Sequence, residues 1–444
     1  MKNAPIYSFV KRYAKRGAVR AHMPGHKGKR FLGPEPLDIT EIAGADALYH
    51  ANGIILQSEK YASVLFGSQK TLYSTEGSSH CIRAMLYLAK LYAASTGKEG
   101  RILCARNAHK SLLSAAALTD TELSWLYGEG SLLSYTPDFA EIEARLQSER
   151  PVALFVTSPD YLGNTLDLFA LSSLCHRYGA LLLVDNAHGA YLRFLSPSLH
   201  PLDASCDLCC DSAHKTLPAL TGAAYLHIGQ NAPLFLSQSA EGAMALFAST
   251  SPSYLTLSSL DKLNDFLFHR FPRALERFLP YVKEVKESLT AAGYCLVGDE
   301  PLKLTVFTKP YGYNGETLAM LLQKKRIYVE HADGDHVVLM LSPSLSEREL
   351  IRIERAFLSI PRVLAIEAPL PPAVRGEAVL SPKEALFRPT ATVPLEWAEG
   401  KILGGLPTAC PPAVPILMPG ERITAEAIEA FRYYGYREVE VLCE

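Results

Sequence analysis

The run Leu181-Leu182-Leu183-Val184-Asp185 decides the fold, because it joins a buried-strand composition to a terminal carboxylate. Apolar runs of this length, without alternating polar residues, are typical of strands covered on both faces in a parallel sheet. A second stretch, Asp211-Ser212-Ala213-His214-Lys215-Thr216, places a lysine in a polar turn farther along the chain. Either stretch alone could be an ordinary connection between a strand and a helix. Together they suggest a ligand site at the edge of an α/β sheet.

The rest of the chain supports this fold class and suggests its domain organisation. Strand-like runs occupy residues 101–104, 152–156, 180–184 and 223–226, and helical patterns occupy 81–94 and 168–178. This alternation predicts an α/β fold with a mostly parallel sheet. A helical stretch at about 261–292 precedes strand-like runs at 302–308, 327–330 and 337–341 and a helical pattern at 346–358. We predict an N-terminal arm (1–50), a large α/β domain (51–260), a smaller α+β domain (261–365) and a C-terminal subdomain (366–444).

Composition narrows the range of partners. The 444 residues carry 44 basic and 46 acidic side chains, a net charge of −2, which favours neither nucleic acid nor a membrane surface. The chain has no apolar run near the ~20 residues of a membrane helix, and its first residues do not resemble a signal peptide. Nine cysteines, an odd number, suggest reduced thiols and a cytoplasmic protein. Cys206, Cys209 and Cys210 lack a second Cys/His pair at zinc spacing, so we predict no metal site.

Polar residues follow the predicted strands where a phosphate-bearing cofactor would bind. Gly77, Ser78 and Ser79 follow one strand and open a helix, whose free N–H groups attract anions. A plain helix cap would also use these residues. His109 follows the next strand and could lie flat on an aromatic ring, although a half-buried histidine beside a capping residue is the simpler interpretation of that motif alone.

The segment after Asp185 and the lysine turn fit pyridoxal phosphate (PLP). A PLP enzyme needs a lysine that forms a Schiff base and a carboxylate that keeps the pyridine nitrogen protonated. Lys215 and Asp185 supply these two groups, and the small Ala187 leaves room beneath the ring. A buried carboxylate such as Asp185 is unfavourable unless a cation pairs with it, and the protonated ring nitrogen is that cation.

Taken together, these residues resemble the fold-type-I PLP-dependent ornithine/lysine/arginine decarboxylases. The resemblance implies a PLP-dependent transferase fold of the aspartate aminotransferase type, with Lys215 as Schiff-base residue, Asp185 as pyridinium partner and His109 as stacking residue. It implies a homodimer or higher homo-oligomer with the site at the interface, so that Thr250 or a neighbour could reach the partner's phosphate. The cofactor-binding set is Gly77, Ser78, Ser79, His109, Asp185, Ala187, His188, Ser212, His214, Lys215 and Thr250. Matching motifs occupy residues 22–28, 38–41, 65–67, 77–79, 106–111, 185–189, 212–215, 249–254 and 415–421.

Three departures from the family pattern concern the substrate more than the cofactor. Asn186 stands where the family usually has glutamate, and Gly222 where a glutamine is frequent. The arm reads Gly44-Ala45-Asp46-Ala47-Leu48 where two adjacent acids are more usual. The chain resembles the short form of the family, without the response-regulator-like N-terminal domain.

The resemblance predicts decarboxylation of a basic amino acid (arginine, lysine or ornithine) to its amine and CO2. Lys215 or His214 could protonate Cα, and one acidic side chain should bind the distal cation. The acidic candidates are Glu41, Asp46, Glu76 and Asp160.

The main alternative is an aminotransferase, which would usually bind the α-carboxylate through a small-domain arginine. Residues 336–343, the comparable stretch, contain none. A PLP-binding protein without turnover is a further alternative, but it has no physical need for Lys215, Asp185 and His109 together.

Overall fold

A computed structural model describes residues 4–368, 370–371, 374–406 and 413–443. The chain forms two compact units, Met1–Lys98 with Leu168–Leu275 and Glu99–Asp167 with Glu276–Glu444. Within the described ranges, none of the helices has the length and apolar character needed to cross a membrane.

In the first two thirds of the chain, helices and strands alternate as the sequence predicts. The strands are β1 (Lys70–Ser74), β2 (Ile102–Ala105), β3 (Leu123–Leu126), β4 (Ala153–Thr157), β5 (Leu181–Asp185), β6 (Leu208–Asp211), β7 (Ala224–Ile228), β8 (Cys295–Val297), β9 (Lys303–Phe307), β10 (His331–Ala332), β11 (His336–Met340), β12 (Glu377–Ala378), β13 (Thr390–Pro394), β14 (Glu421–Arg422) and β15 (Glu438–Leu442). The helices are α1 (Pro5–Lys15), α2 (Ile54–Phe66), α3 (Ser78–Thr96), α4 (Lys110–Thr119), α5 (Phe139–Glu149), α6 (Leu168–Arg177), α7 (Ala213–Thr216), α8 (Leu234–Phe247), α9 (Tyr254–His269), α10 (Phe271–Ala291), α11 (Gly315–Lys324), α12 (Glu347–Leu358), α13 (Pro382–Leu386) and α14 (Ala425–Tyr433).

The first unit contains the two stretches that the sequence singles out. Its strands lie in the order β1-β7-β6-β5, with β5 and β6 parallel and β7 antiparallel to both of its neighbours. Every residue of β5 and β6 is buried, which explains their continuous apolar composition. Helix α3 packs on β6 and β7 and against α8. Since β5 and β6 are parallel, Asp185 and Asp211 end neighbouring strands at the same edge.

The second unit holds a parallel group of strands and smaller antiparallel sheets. Strand β2 pairs in parallel with β3 and β4. The order β10-β11-β9-β8 forms an antiparallel sheet, and β12 with β14 and β13 with β15 form antiparallel pairs. A separate C-terminal core packs around Leu403, Leu417 and Phe431.

Two predicted elements differ from the structure. Residues 327–330 are not a strand: Arg326 takes the left-handed conformation (φ 60°), and Ile327 N–H donates to Leu322 C=O, so this apolar segment closes α11. The helical stretch 261–292 is divided between α9 and α10, because Pro272 lacks the N–H that would continue the hydrogen-bond ladder to Phe268. The four-part domain division stays a prediction.

Candidate active site

Lys215 lies in the short helix α7, directly after β6, in a partly buried position. Its Nζ lies within hydrogen-bond distance of His188 Nε2, at 2.9 Å, and its backbone N–H donates to Ser212 C=O at 3.0 Å. His188 is buried, with 7% of its surface exposed. The predicted lysine and the histidine of the segment after β5 are therefore brought together in the first unit, and a proton can move directly between Lys215 Nζ and His188 Nε2.

Asp185 ends β5 with 3% of its surface exposed. Its Oδ1 accepts the backbone N–H of Ala187 at 3.1 Å and lies 3.6 Å from Cys210 Sγ. Burial raises the pKa of Asp185, and the nearby Lys215 cation opposes that rise. This carboxylate would gain a strong partner from a protonated ring nitrogen, which is the role that the sequence predicts for it.

The predicted phosphate site begins at Gly77, where the chain turns into α3. Gly77 has φ 76°, in the region that favours glycine. Apart from Gly77 and its two chain neighbours, no heavy atom of the described chain lies within 4 Å of the place where a Cβ would stand. Ser212 Oγ donates to Ser78 Oγ at 2.9 Å, so two predicted phosphate ligands from different segments meet at the N-terminus of α3. Hydroxyl groups beside a helix N-terminus suit a phosphate, and with Lys215 and Asp185 the residues present fit PLP.

Two further predicted residues of the first unit, His214 and Thr250, belong to segments that contact the neighbourhood of this predicted phosphate site. His214 Nδ1 lies 2.9 Å from Ala223 C=O; since a carbonyl only accepts, Nδ1 carries the hydrogen and donates it. Thr250 is exposed in the loop between α8 and α9, and Ser249 N–H donates to the Glu76 carboxylate at 2.8 Å. That contact holds the Thr250 loop next to the residue preceding Gly77.

His109 belongs to the second unit and caps α4. Its Nδ1 accepts the Ser111 N–H at 3.1 Å and lies 2.7 Å from Ser111 Oγ. The simpler interpretation of the motif, a capping asparagine with a half-buried histidine beside it, therefore differs from the structure, in which His109 is itself the cap. Ring stacking by His109 stays a prediction.

Three of the four acidic candidates accept backbone N–H groups, and Glu76 accepts that of Ser249. Asp46, 5% exposed, accepts N–H groups at the start of α2, and Asp160, 3% exposed, accepts those of the turn that follows it. Glu41 and Glu76 are exposed in the first unit. A distal-cation role is therefore better suited to the exposed pair.

A buried polar cluster that the sequence did not predict surrounds Asp211, at the end of β6. Its carboxylate accepts hydrogen bonds from Asn186, His200 and His227. These residues are 25, 11 and 16 positions away along the chain, respectively. No local sequence pattern predicts such a cluster. The departure from the family pattern at Asn186 was a signal that the surroundings of this position differ from those usual in the family.

Comparison with known proteins gives the family. The Orn/Lys/Arg decarboxylase major-domain family matches residues 4–289, and the C-terminal domain of the same family matches 373–439. A Bacillus subtilis protein named "Uncharacterized protein YaaO" is 31% identical over 96% of this chain and 93% of its own length. An arginine decarboxylase of Bacillus subtilis is 28% identical over 96% of this chain and 92% of its own length.

Solved structures give the fold. The lysine decarboxylase LdcF of Francisella novicida has a TM-score of 0.79 at 16% sequence identity, covering 99% of this chain and 81% of that one. This likeness confirms the predicted α/β fold of the PLP-dependent transferases, and the family matches favour decarboxylation over the aminotransferase alternative. The chain belongs to the Orn/Lys/Arg decarboxylase family and is a PLP-dependent amino-acid decarboxylase.

Proposed function

We propose that this protein decarboxylates arginine, with PLP held around Lys215. The observation that carries the proposal is the meeting of Lys215, His188 and the buried Asp185 in one unit of a chain from this family. The choice of arginine is supported by the Bacillus subtilis relative named arginine decarboxylase, which matches nearly the full length of both chains. The lysine decarboxylase structure, at 16% identity, supports the fold rather than the substrate.

The residues present divide the work of holding the cofactor. Bound PLP would supply a ring that accepts the electron pair released as the carboxylate leaves. We assign Ser78, Ser79, Ser212 and the N-terminus of α3 to the phosphate, with His214 and the partner subunit's Thr250 as further contacts. Asp185 would keep the ring nitrogen protonated, which its buried position makes favourable for both groups.

Lys215 and His188 form a proton pair at the reacting end of the site. Because Lys215 Nζ lies 2.9 Å from His188 Nε2, the histidine can take the lysine proton and leave a neutral amine, the form that bonds to a carbonyl carbon. The same pair can return a proton to the substrate Cα after CO2 has left. His188 therefore joins Lys215 and His214 as a proton carrier of the proposed reaction.

Substrate binding requires a carboxylate for the guanidinium group. A planar guanidinium pairs best with a carboxylate whose two oxygens are available. Asp46 and Asp160 are buried and spend their oxygens on backbone N–H groups. Glu41 and Glu76 are exposed, although Glu76 gives one oxygen, Oε1, to the Ser249 N–H. We assign the distal cation to one of these two glutamates. The Ser249–Glu76 bond holds the exposed Thr250 loop beside Gly77 of its own protomer, and in a homodimer the loop would extend from there to the phosphate site of the partner.

The test is a product assay on the purified protein. The protein with added PLP is incubated separately with arginine, lysine and ornithine, and CO2 and amine are measured by mass spectrometry. Agmatine from arginine is expected, absent in Lys215→Ala and retained in the control Lys283→Ala, whose side chain is 77% exposed. Cadaverine or putrescine as the main product would overturn the choice of arginine. A bound cofactor with no CO2 from any of the three would overturn decarboxylation.

A further inference from the structure

Asp211 is a fully buried carboxylate at the end of β6, on the residue that precedes the lysine turn. Asn186 Nδ2 donates to its Oδ1 at 2.6 Å, while the Nε2 atoms of His200 and His227 donate to its Oδ2 at 3.0 and 3.2 Å. The side chains of both histidines are also fully buried. One anion therefore takes three side-chain donors inside the first unit.

The hydrogen-bond pattern sets the charges of this cluster. His200 Nδ1 accepts the backbone N–H of Leu202, so its hydrogen is on Nε2, facing Asp211. Burial lowers the pKa of His227, and its Nδ1 lies 2.8 Å from Thr71 Oγ1, a hydroxyl that can donate to it. Burial alone would raise the pKa of Asp211, but the two histidines lower it below its ordinary value. Asp211 is thus an ionised carboxylate held by three side-chain donors.

The bond from Asn186 to Asp211 connects the two segments that the proposed function uses. Asn186 directly follows Asp185, and Asp211 directly precedes the Ser212-Ala213-His214-Lys215 turn. Asp185 lies opposite Cys210 in the pairing of β5 with β6, and Asn186 N–H donates to Cys210 C=O at 3.0 Å. Successive strand residues point to opposite faces, so the bond between the Asn186 and Asp211 side chains lies behind the face that carries Asp185.

The packing around Asn186 fixes its amide in this orientation. A Cβ at Gly189 would lie 2.0 Å from Asn186 Oδ1, closer than any side chain allows. Glycine at 189 thus leaves the space that the amide oxygen occupies, while the amide nitrogen faces Asp211.

The alternative role of this cluster is metal binding, since ligand atoms of His200, Cys209 and Asp211 lie within 4.8 Å of one another. Burial raises the pKa of Cys209 well above its ordinary value, which keeps the thiol protonated and makes it a poor ligand. The His200 Nε2 atom that faces Asp211 carries a hydrogen. The geometry favours hydrogen bonding over metal coordination.

We propose that Asp211 is a positioning residue that, through Asn186, holds the Asp185 segment in register with the Lys215 turn. It thereby fixes the positions of Asp185 and Lys215, the residues at the two ends of the proposed PLP site. The inference rests on the proposed function. Asp211 touches neither cofactor nor substrate, and it acts by fixing the residues that do.

Exchange of the two residues is the test. Asn186→Asp alone places two carboxylates, at positions 186 and 211, next to each other. They repel each other unless they share a proton. In the double variant with Asp211→Asn, the new amide nitrogen donates to the carboxylate introduced at position 186. The new amide oxygen accepts from His200 and His227, so the bond is restored in reverse. Asp261→Asn is the matched control, because Asp261 is a fully buried carboxylate of the same unit, bonded to Ser58 and Tyr7.

The readouts are PLP affinity by titration, the pH midpoint of the bound cofactor's visible absorbance, and the temperature of unfolding. Asn186→Asp should weaken PLP binding by about tenfold or more, with a larger loss at pH 8 than at pH 6, because protonation of the pair relieves the repulsion. It should also move the absorbance midpoint. The exchanged double variant should return both quantities to within about threefold, or a few tenths of a pH unit, of wild type.

Several results would overturn the inference. One is an exchanged double variant that binds PLP no better than Asn186→Asp does. If the single variant Asn186→Asp does not fold, the comparison is made with Asp211→Asn instead. Another is a set of variants that lower the unfolding temperature as Asp261→Asn does, with PLP affinity and absorbance midpoint unchanged. Stoichiometric metal in the purified protein, lost in Asp211→Asn, would also overturn it. Each of these leaves the proposed function standing, whereas a wild-type protein that binds no PLP would overturn both.

Discussion

Replacing Asp46 by alanine should destabilise the protein without changing how it binds substrate. The carboxylate of this buried residue accepts the N–H groups of Gly53 and Ile55 at 2.8 and 2.9 Å and those of Asn52 and Leu56 at 3.1 and 3.4 Å. Hydrogen bonds to a charged group contribute about 1.5–3 kcal/mol each, but three of these four share Oδ2. Counting the two shortest at the lower limit gives a loss of about 3 kcal/mol in the free energy of unfolding.

The assay is urea unfolding in the presence of excess PLP, followed by steady-state kinetics with arginine. We expect Asp46→Ala to lose about 3 kcal/mol and Asp46→Asn, which keeps one acceptor, about half of that, with KM close to wild type in both. Asp265→Ala is the control, since Asp265 is 47% exposed in a surface pair and should change stability by less than about 1 kcal/mol. Unchanged stability together with a KM raised more than about tenfold would show that Asp46 binds the substrate cation and that its capping role has been misjudged.

Three further outcomes test the site and the two units. Asp185→Asn should retain PLP at saturating concentration but lower kcat about 100-fold, measured by initial rates; an unchanged kcat would remove Asp185 from the proposed site. Glu59 is 4% exposed, and burial raises its pKa to about 8, so the folded state holds a proton that the unfolded state releases. The free energy of unfolding should therefore fall as pH rises from about 5 to 8, by at most about 1.4 kcal/mol per pH unit, and Glu59→Gln should flatten that slope in urea titrations; an identical slope would contradict this. Lys309→Met leaves its partner Asp335 buried without the cation and should destabilise by about 3 kcal/mol, whereas exposed Lys283→Met should have no effect.

The sequence predicted the parts of the site whose signals are local. An apolar run ending in Asp185 required a buried strand, and the polar turn carrying Lys215 required a connection at the same edge, so their meeting in one unit followed from parallel pairing of β5 and β6. Gly77 and Ser78 were predictable for the same reason, because a glycine turn opening a helix is readable from neighbouring residues.

What the sequence could not predict depends on distant partners. Asp46 and Asp160 looked like candidates for a substrate cation, and only the folded chain shows that backbone N–H groups take their oxygens. The segment 327–330 has strand composition, but the left-handed turn at Arg326 uses it to close α11. The donors to Asp211 come from three separate segments that no local period connects.

The two carboxylates at this edge of the first unit have different environments, which suit the different roles that we propose for them. Asp185 and Asp211 end adjacent parallel strands and are both buried, yet their pKa values move in opposite directions. The pKa of Asp211 is lowered because His200 and His227 outweigh its burial, whereas that of Asp185 is raised because burial outweighs Lys215. A carboxylate already satisfied by three side-chain donors gains little from a further cation. Asp185 would gain much from one, and a protonated pyridine nitrogen meets that need only when the cofactor is bound.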